Sequence, residues 1–389
     1  MAKSKKVLGL ILELNPPHNG HQYFINMAKK QVNPDFTIGI ISTNFTMRGD
    51  ISIIDKFTKT KLALELGLDL VIELPFLGAV QSADFFAYNS ISSLLKLNIT
   101  DLAFGVEMEN INKFYDILKI INLDLYQDSI KNYLQKGLSY STASLRALQE
   151  CCDDQEIIEN FSKPNNTLAI QYLNCASKLN ASLNYTFIKR VDNNYYDEVV
   201  TTSIASASSI RNLVNQGQNI DSFIPKFKAT YQLVDLKKSY QNLFLLLKHR
   251  FICDGKEKVK ELFNVNEGIE SRIESMLNVS NSYDELLSNV QTKRYTKNYL
   301  QRLFIHIIMN SNIEKGEYYN YLRVLGMNEN GKDYLNKLPK ETKKIIITSL
   351  KGKTDINSKY ELQATKLYGL ITGNDNIYLN EYKIPIIGE

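Results

Sequence analysis

Between residues 7 and 106, short apolar runs alternate with helical patterns, and that order leaves few folds open. The runs are VLGLILEL (7–14), FTIGIIS (36–42), DLVIELP (69–75) and DLAFGV (101–106). Each is apolar on both faces, as a strand buried inside a parallel sheet is. The helical patterns between them cover residues 21–31, 55–66 and 81–97. Strand, helix, strand in succession predicts an α/β fold, a parallel sheet covered by helices. A later run, NYTFIKR (184–190), is expected to join the same sheet, and residues 109–180 read as mostly helical.

After about residue 226 the strand signal fades. NLFLLLKHRFI and KNYLQRLFIHIIM are helical, and in the second Leu300, Leu303, Phe304, Ile307 and Ile308 follow the i, i+3, i+4, i+7, i+8 rule. A chain of 389 residues is long enough for two or three domains. The boundary is placed near 224–228, giving an α/β domain over 1–225 and an α-helical domain over 226–389. Charge follows the same division. Residues 226–389 carry 26 Lys and Arg against 19 Asp and Glu, whereas residues 1–225 carry 20 against 23. A basic C-terminal part beside a mildly acidic one suggests a polyanion partner for the former.

Several classes are set aside. No apolar stretch approaches the ~20 residues of a membrane span. The basic start MAKSKKVLGLILEL has an apolar run that is short and interrupted by Glu13, so it reads as a first strand of a cytoplasmic protein rather than a signal peptide. The cysteines, Cys151, Cys152, Cys175 and Cys253, lack the two-residue gap of a zinc or redox motif and read as reduced thiols. No metal site is expected.

The chemistry concentrates in ELNPPHNGH (13–21), which holds two of the four histidines. A buried strand ends there, Asn15-Pro16-Pro17 forces a turn, and a helix begins at about His21. Gly20 lets the backbone approach a ligand. The free N–H groups and dipole of the helix start make an anion site at the carboxyl end of a strand. His18 and His21 can donate to phosphoryl oxygens and stabilise charge at a phosphorus under attack.

This pattern resembles the (H/T)-x-G-H signature of the nucleotidyltransferase and class I synthetase superfamily, whose members bind ATP and attack its α-phosphate. Their second signature lies late in the α/β domain, at a helix start. IASASSIRNLV (204–214) fits that place, with Ser206, Ser208 and Ser209 as hydroxyls and Arg211 as a fork for phosphate.

A narrower resemblance covers residues 7 to 370. LELNPPHNGHQYFI, FTMRGDISIIDKFTKTKLAL, GLDLVIELPF, AFGVE, KPNNTLAIQYL, IASASSIR, KRYTKNYLQRLF and YLRVLGMNENGKDYL occur in the order known for the tRNA(Met) cytidine acetate ligase family. The chain departs from that family's pattern at Pro17, Leu14, Thr43-Asn44 and Asp50. The resemblance implies a Rossmann-like nucleotidyltransferase domain followed by a helical, tRNA-binding one. It also implies two steps: acetate attacks the α-phosphorus of ATP, giving acetyl-adenylate and pyrophosphate; the N4 amine of the wobble cytidine of elongator tRNA(Met) then takes the acetyl group. ATP, with Mg²⁺ as its counter-ion, acetate and the tRNA are the implied ligands. Neither a membrane nor an obligate protein partner is implied.

Carried onto this sequence, the resemblance gives His18, His21, Arg48 and Lys56 catalytic roles. It gives ATP contacts to Ile11, Leu12, Glu13, Leu14, Asn15, Pro16, Pro17, His18, Asn19, Gly20 and His21. Gly105, Asn165, Asn166, Arg190, Ser208, Ser209 and Arg211 complete that set. Lys293, Arg294, Lys297, Arg302 and Arg323 fall to tRNA binding, where phosphate-backbone contact is salt-dependent. By helical angle Arg302 lies opposite the apolar stripe of its helix. Two other readings share the HNGH loop: an adenylyltransferase acting on a small metabolite, and a non-catalytic RNA-binding protein that senses a nucleotide.

Overall fold

The computed structural model describes residues 5–190, 204–266, 268–312 and 321–388. Five strands form its parallel part: β1 (Val7–Leu12), β2 (Phe36–Ser42), β3 (Leu70–Leu74), β4 (Asp101–Val106) and β5 (Asn184–Lys189). Their order is β5-β4-β1-β2-β3, so β1 lies at the centre. Val7 pairs with Phe36 on one side, and Leu8 pairs with Asp101 on the other. Two helices matter for the site: α1 (Asn19–Val32) and α2 (Lys56–Glu65).

Both faces of the central strands are covered, which is why their sequence is apolar throughout. Leu8, Leu10 and Leu12 pack with Ile25, Ala28 and Val32 of α1. Ile38, Ile40, Leu70 and Ile72 turn the other way, into a cluster with Phe86, Ile91 and Leu94 of the helix Ala83–Lys96. The expected segments 7–14, 36–42, 69–75, 101–106 and 184–190 all hold strands.

The C-terminal part differs from its sequence reading. The two patterned segments lie in the helices Leu236–Val259 and Lys297–Ile308, and Ile269–Leu277, Tyr283–Val290 and Ile356–Thr372 are helical as well, but the chain also returns to the sheet. β6 (Leu322–Met327) pairs antiparallel with β3, and the two-residue strands β7 (Ile346–Ile347) and β8 (Ile386–Ile387) pair with β6. A single buried strand of six residues between helices has too short a period to announce itself. The apolar core of the C-terminal helices is shared as well: Phe45, Ile51, Ile53, Phe76 and Val80 pack into one cluster with Leu243, Leu247, Leu300 and Tyr368.

A buried ionic knot fastens the two parts together. Lys56 Nζ lies 2.7 Å from Glu73, 2.7 Å from Glu361 and 2.6 Å from Glu381, all without solvent exposure. Arg323 joins Glu73 at 3.3 Å and also meets Glu381. Burial alone would pull Lys56 down, and the three carboxylates reverse that and raise it. Burial likewise raises Glu73, against the pull of Arg323 and Lys56. Thr43 and Asn44, where the chain departs from the family pattern, are tied to the same region through Glu361 and Thr365.

Candidate nucleotide-binding site

The chain runs from β1 through β2 to β3 on one side, then crosses to β4 on the other side of β1. The crevice between the carboxyl ends of β1 and β4 is therefore a topological switch point, where open α/β sheets bind ligands. The HNGH loop fills one edge of it. Leu14, with a left-handed φ of 50°, turns the chain out of the strand, and His18 becomes the N-cap of α1.

The cap fixes both imidazoles. His18 Nδ1 accepts from the Gly20 amide at 3.1 Å, and His21 Nδ1 accepts from the His18 amide at 3.2 Å. Each ring thus uses its Nδ1 lone pair on a backbone donor, so each neutral ring carries its proton on Nε2. Neither Nε2 has a partner among the described residues. The rings lie 3.8 Å apart between centroids, and a Cβ on Gly20 would come within 2.8 Å of the His18 ring. Burial, then the charges of Arg190 and Arg211, pulls His18 down to about 4. Burial, then His18, holds His21 well below its ordinary value. Both are neutral N–H donors at pH 7.

A second segment clasps this loop. Asn19 Nδ2 donates to Ser222 O at 2.9 Å, and the Asn19 amide donates to Phe223 O at 2.9 Å. Ser206 caps the helix Ala207–Asn215 by accepting from the Ser209 amide. From that helix Arg211 Nη1 donates to Asn15 O at 2.7 Å, while Nη2 meets Asp50 Oδ2 at 3.1 Å and Ser208 Oγ at 3.3 Å. The two signatures, far apart in sequence, are joined by this arginine.

Glu13, at the end of β1, accepts from the Met47 amide at 2.7 Å, and burial raises its pKa. Arg48, beside it, is partly exposed and has no hydrogen bond or ion pair among the described residues. Lys59 was not singled out from the sequence. It is fully buried, donates to Ser42 O at 3.0 Å and Thr43 O at 2.8 Å, and is drawn down to about 7 by burial. Its neighbours in KFTKTKLAL gave no sign that this lysine, unlike Lys61, turns inward. Gly105 lies on β4 with the stem of Arg190 3.7 Å from where a Cβ would stand. Ser208 and Ser209 are exposed.

Other expected residues lie elsewhere. Lys56 belongs to the buried knot and cannot reach a phosphate, because three carboxylates enclose it. Arg323, 2% exposed, is likewise a partner of Glu73 and Glu381 and presents nothing to an RNA. Asn166 is fully buried; its Oδ1 accepts from the Glu107 and Met108 amides and its Nδ2 donates to Asn160 O. It shapes the loop after β4, and Asn165, which donates to Glu107, stands nearer the surface. Lys293, Arg294 and Lys297 are exposed at the start of the helix Lys297–Ile308. Arg302 is partly buried instead, because the face opposite the apolar stripe packs near Gln81 and Phe85. Among the described residues no group of three or more His, Cys, Asp or Glu could hold a metal ion, and no helix is long and apolar enough to cross a membrane.

The family described as HIGH Nucleotidyl Transferase matches residues 5–382. The tRNA(Met) cytidine acetate ligase of Oceanobacillus iheyensis is 36% identical, over 92% of this chain and 93% of that protein. The Clostridium kluyveri protein of the same name is 34% identical over 97% of each. Among solved structures, Thermotoga maritima TmcAL without ligand superposes with a TM-score of 0.85 and 27% identity, covering 98% of this chain and 99% of its own. The same protein bound with alpha-thio ATP gives 0.83 and 26% over the same spans. With a neutral histidine pair at the switch point of its sheet and relatives matched from end to end, the chain belongs to the HIGH nucleotidyltransferase family and, within it, to the tRNA(Met) cytidine acetate ligases.

Proposed function

We propose that this protein is an ATP-dependent ligase that activates acetate as acetyl-adenylate and acetylates N4 of the wobble cytidine of elongator tRNA(Met). The observation that carries the first step is the pair of Nε2–H donors of His18 and His21, held neutral by burial and by their bonds to the loop backbone. They stand beside the start of α1, whose dipole favours a phosphate although its first amides are already bonded to His18 and Phe223. A triphosphate gripped there presents its α-phosphorus to the crevice, and Arg48 supplies a fork for the departing pyrophosphate. Acetate oxygen attacks phosphorus and pyrophosphate leaves. The cytidine amine then attacks the acetyl carbonyl, AMP leaves, and the amine gives up a proton.

The loop 11–21, Gly105, Asn165, Arg190, Ser208, Ser209 and Arg211 make up the ATP site in this reading. Arg211 acts from its bond to Asn15. Magnesium would travel on the triphosphate oxygens. Residues 226–389 carry the tRNA contacts, chiefly Lys293, Arg294, Lys297 and Arg302. The protein works in the cytoplasm, without a membrane or an obligate protein partner.

The test is mass spectrometry of elongator tRNA(Met) incubated with the protein, ATP and isotopically labelled acetate. Labelled N4-acetylcytidine at the wobble position is expected. Acetate-independent AMP transfer to a small metabolite would instead make this a plain adenylyltransferase. Binding of the tRNA with no ATP turnover would make it a nucleotide-sensing RNA-binding protein.

A further inference from the structure

The second step of the ligase reaction releases a proton, and few groups of the site are free to take it. The amine of cytosine is a poor nucleophile, since its lone pair is drawn into the ring. Its N–H becomes acidic only as the bond to the acetyl carbon forms. A positioned base contributes about 10²- to 10⁴-fold at such a step. The two imidazoles are unsuited: their Nδ1 lone pairs are engaged by backbone amides, and each Nε2 already holds a proton. Asp50 is engaged too, with Oδ1 on Gln301 and Oδ2 on Arg211. Glu107 has Oε1 on Asn165 and Oε2 on the Asn166 amide. Lys59 is fully buried behind two carbonyls at the end of β2.

Glu13 differs from all of these. It follows the last residue of β1, at the edge of the switch-point crevice, and is half-buried. Its Oε1 accepts from the Met47 amide at 2.7 Å and from Ser42 Oγ at 3.4 Å. These donors, one from the loop before Arg48-Gly49-Asp50 (the R-G-D loop) and one from β2, fix the carboxylate. Its Oε2 has no hydrogen bond and no ion pair among the described residues. The charged and titratable groups around it are Arg48 and Asp50 of the R-G-D loop, Lys59 of α2 and Tyr172 of the helix Pro164–Lys178. Burial raises the carboxyl, Asp50 adds to the rise, and the Met47 amide, Arg48 and Lys59 oppose it. A carboxylate moved toward the working pH is a stronger base than an ordinary one. An open carboxylate oxygen also repels phosphate oxygens, so its place beside the crevice calls for a duty other than gripping the triphosphate.

We propose that Glu13 is the general base of the acetyl-transfer step, its Oε2 taking the proton of the cytidine N4 amine. This rests on the ligase reading above and deepens it. The bond from N4 to the acetyl carbon forms, and the bond from that carbon to the adenylate oxygen breaks. The electron pair leaves with AMP, and the N4 proton passes to Oε2 and then to water.

The experiment gives the full chain elongator tRNA(Met) and synthetic acetyl-adenylate, which bypasses the first step. Single-turnover formation of N4-acetylcytidine is followed against pH in wild type, Glu13→Gln and Glu13→Asp, with thermal melting of each. Glutamine still accepts from the Met47 amide through its own oxygen, so the loop stays anchored. The wild-type rate is expected to rise with pH through a limb above the ordinary carboxylate range, because the base acts only when ionised. Glu13→Gln should lose the limb and about 100-fold in rate, and Glu13→Asp should keep the limb at a rate between the two. Acetate-dependent pyrophosphate exchange is measured alongside, and the loss in transfer should exceed the loss in exchange by at least about tenfold. Equal losses in both steps overturn the proposal, since Glu13 then serves the nucleotide alone. A loss that excess Mg²⁺ restores also overturns it, since Glu13 then holds the metal. So does a limb that survives in Glu13→Gln, or a wild-type rate that is flat across that range. Wild-type protein that makes no acetylcytidine from acetyl-adenylate sinks the ligase reading itself. Wild-type transfer with an unaffected Glu13→Gln sinks only the base.

Discussion

Asp50 Oδ1 accepts from Gln301 Nε2 at 2.8 Å, across 251 residues of chain, and so joins the phosphate-side loop to the basic helix. Its other oxygen holds Arg211, which in turn holds Asn15 O. One carboxylate therefore connects the R-G-D loop, the HNGH loop, the second signature and the C-terminal helices. Asp50→Ala removes both bonds and leaves Arg211 without its counter-ion. Hydrogen bonds to charged groups contribute roughly 1.5–3 kcal/mol each, and both sides of this pair retain some solvent contact, so a loss of about 2–3 kcal/mol is expected in urea unfolding. Acetate-dependent pyrophosphate exchange should fall about tenfold in the same variant, because the loop that presents the histidines is no longer held from outside.

His18 has two separable duties. Its Nδ1 caps α1 through the Gly20 amide, and in the proposed function its Nε2–H donates to the phosphates. Asparagine is a good N-cap and can accept from the same amide, but it has no donor at the position of Nε2. His18→Asn is expected to unfold within a few degrees of wild type while pyrophosphate exchange drops by about two orders of magnitude, the usual loss for one donor at a developing charge. His18→Ala should lose the exchange and about 1 kcal/mol of stability together, which thermal melting separates from the asparagine case.

The parallel core was legible because strands buried on both faces are written as unbroken apolar runs, FTIGIIS being the clearest. The HNGH loop was legible because two rare residues flank a glycine where a strand meets a helix. What escaped has a common cause. Lys56 and Arg323 are charged residues whose partners come from distant segments, Glu361 and Glu381 for Lys56 and Glu73 for Arg323. A local pattern assigns such residues to the surface, since ion pairing across some 300 residues leaves no mark in either window. Arg323 also disguised β6, since a buried arginine makes a buried strand look half-exposed. Arg302 was read as an exposed charge from its helical angle, which identifies the side away from one core but not a second element packed there.

Lys56 offers a direct check on that reassignment. Lys56→Met leaves Glu73, Glu361 and Glu381 converging with Arg323 as their remaining cation. Removing one member of a buried ionic network leaves uncompensated charge, a loss of about 3–5 kcal/mol. Urea unfolding should show that loss. The Michaelis constant for ATP in the variant, measured well below its unfolding transition, should stay within about twofold of wild type. A large rise in that constant without destabilisation would return Lys56 to the phosphate site.

Acid should weaken the fold through its buried histidines. His306 Nε2 donates to Val80 O at 2.8 Å, its Nδ1 lies 2.9 Å from Ser311 Oγ, and burial pulls its pKa down to about 4, as it does for His18. In the unfolded chain both titrate near ~6.5. A depressed folded pKa means that the unfolded state binds the proton first. The stabilisation is thus complete above about pH 6.5 and is lost as the pH falls toward 4, at up to about 1.4 kcal/mol per pH unit for each ring. Glu13 and Glu73, whose pKa values burial raises, act in the opposite sense and moderate the slope. Urea midpoints measured from pH 6.5 down to 4.5 should therefore decline in wild type, and decline less steeply in His306→Gln, which removes one titrating ring. Parallel lines for the two proteins would mean that His306 takes up its proton in the folded state as readily as in the unfolded one.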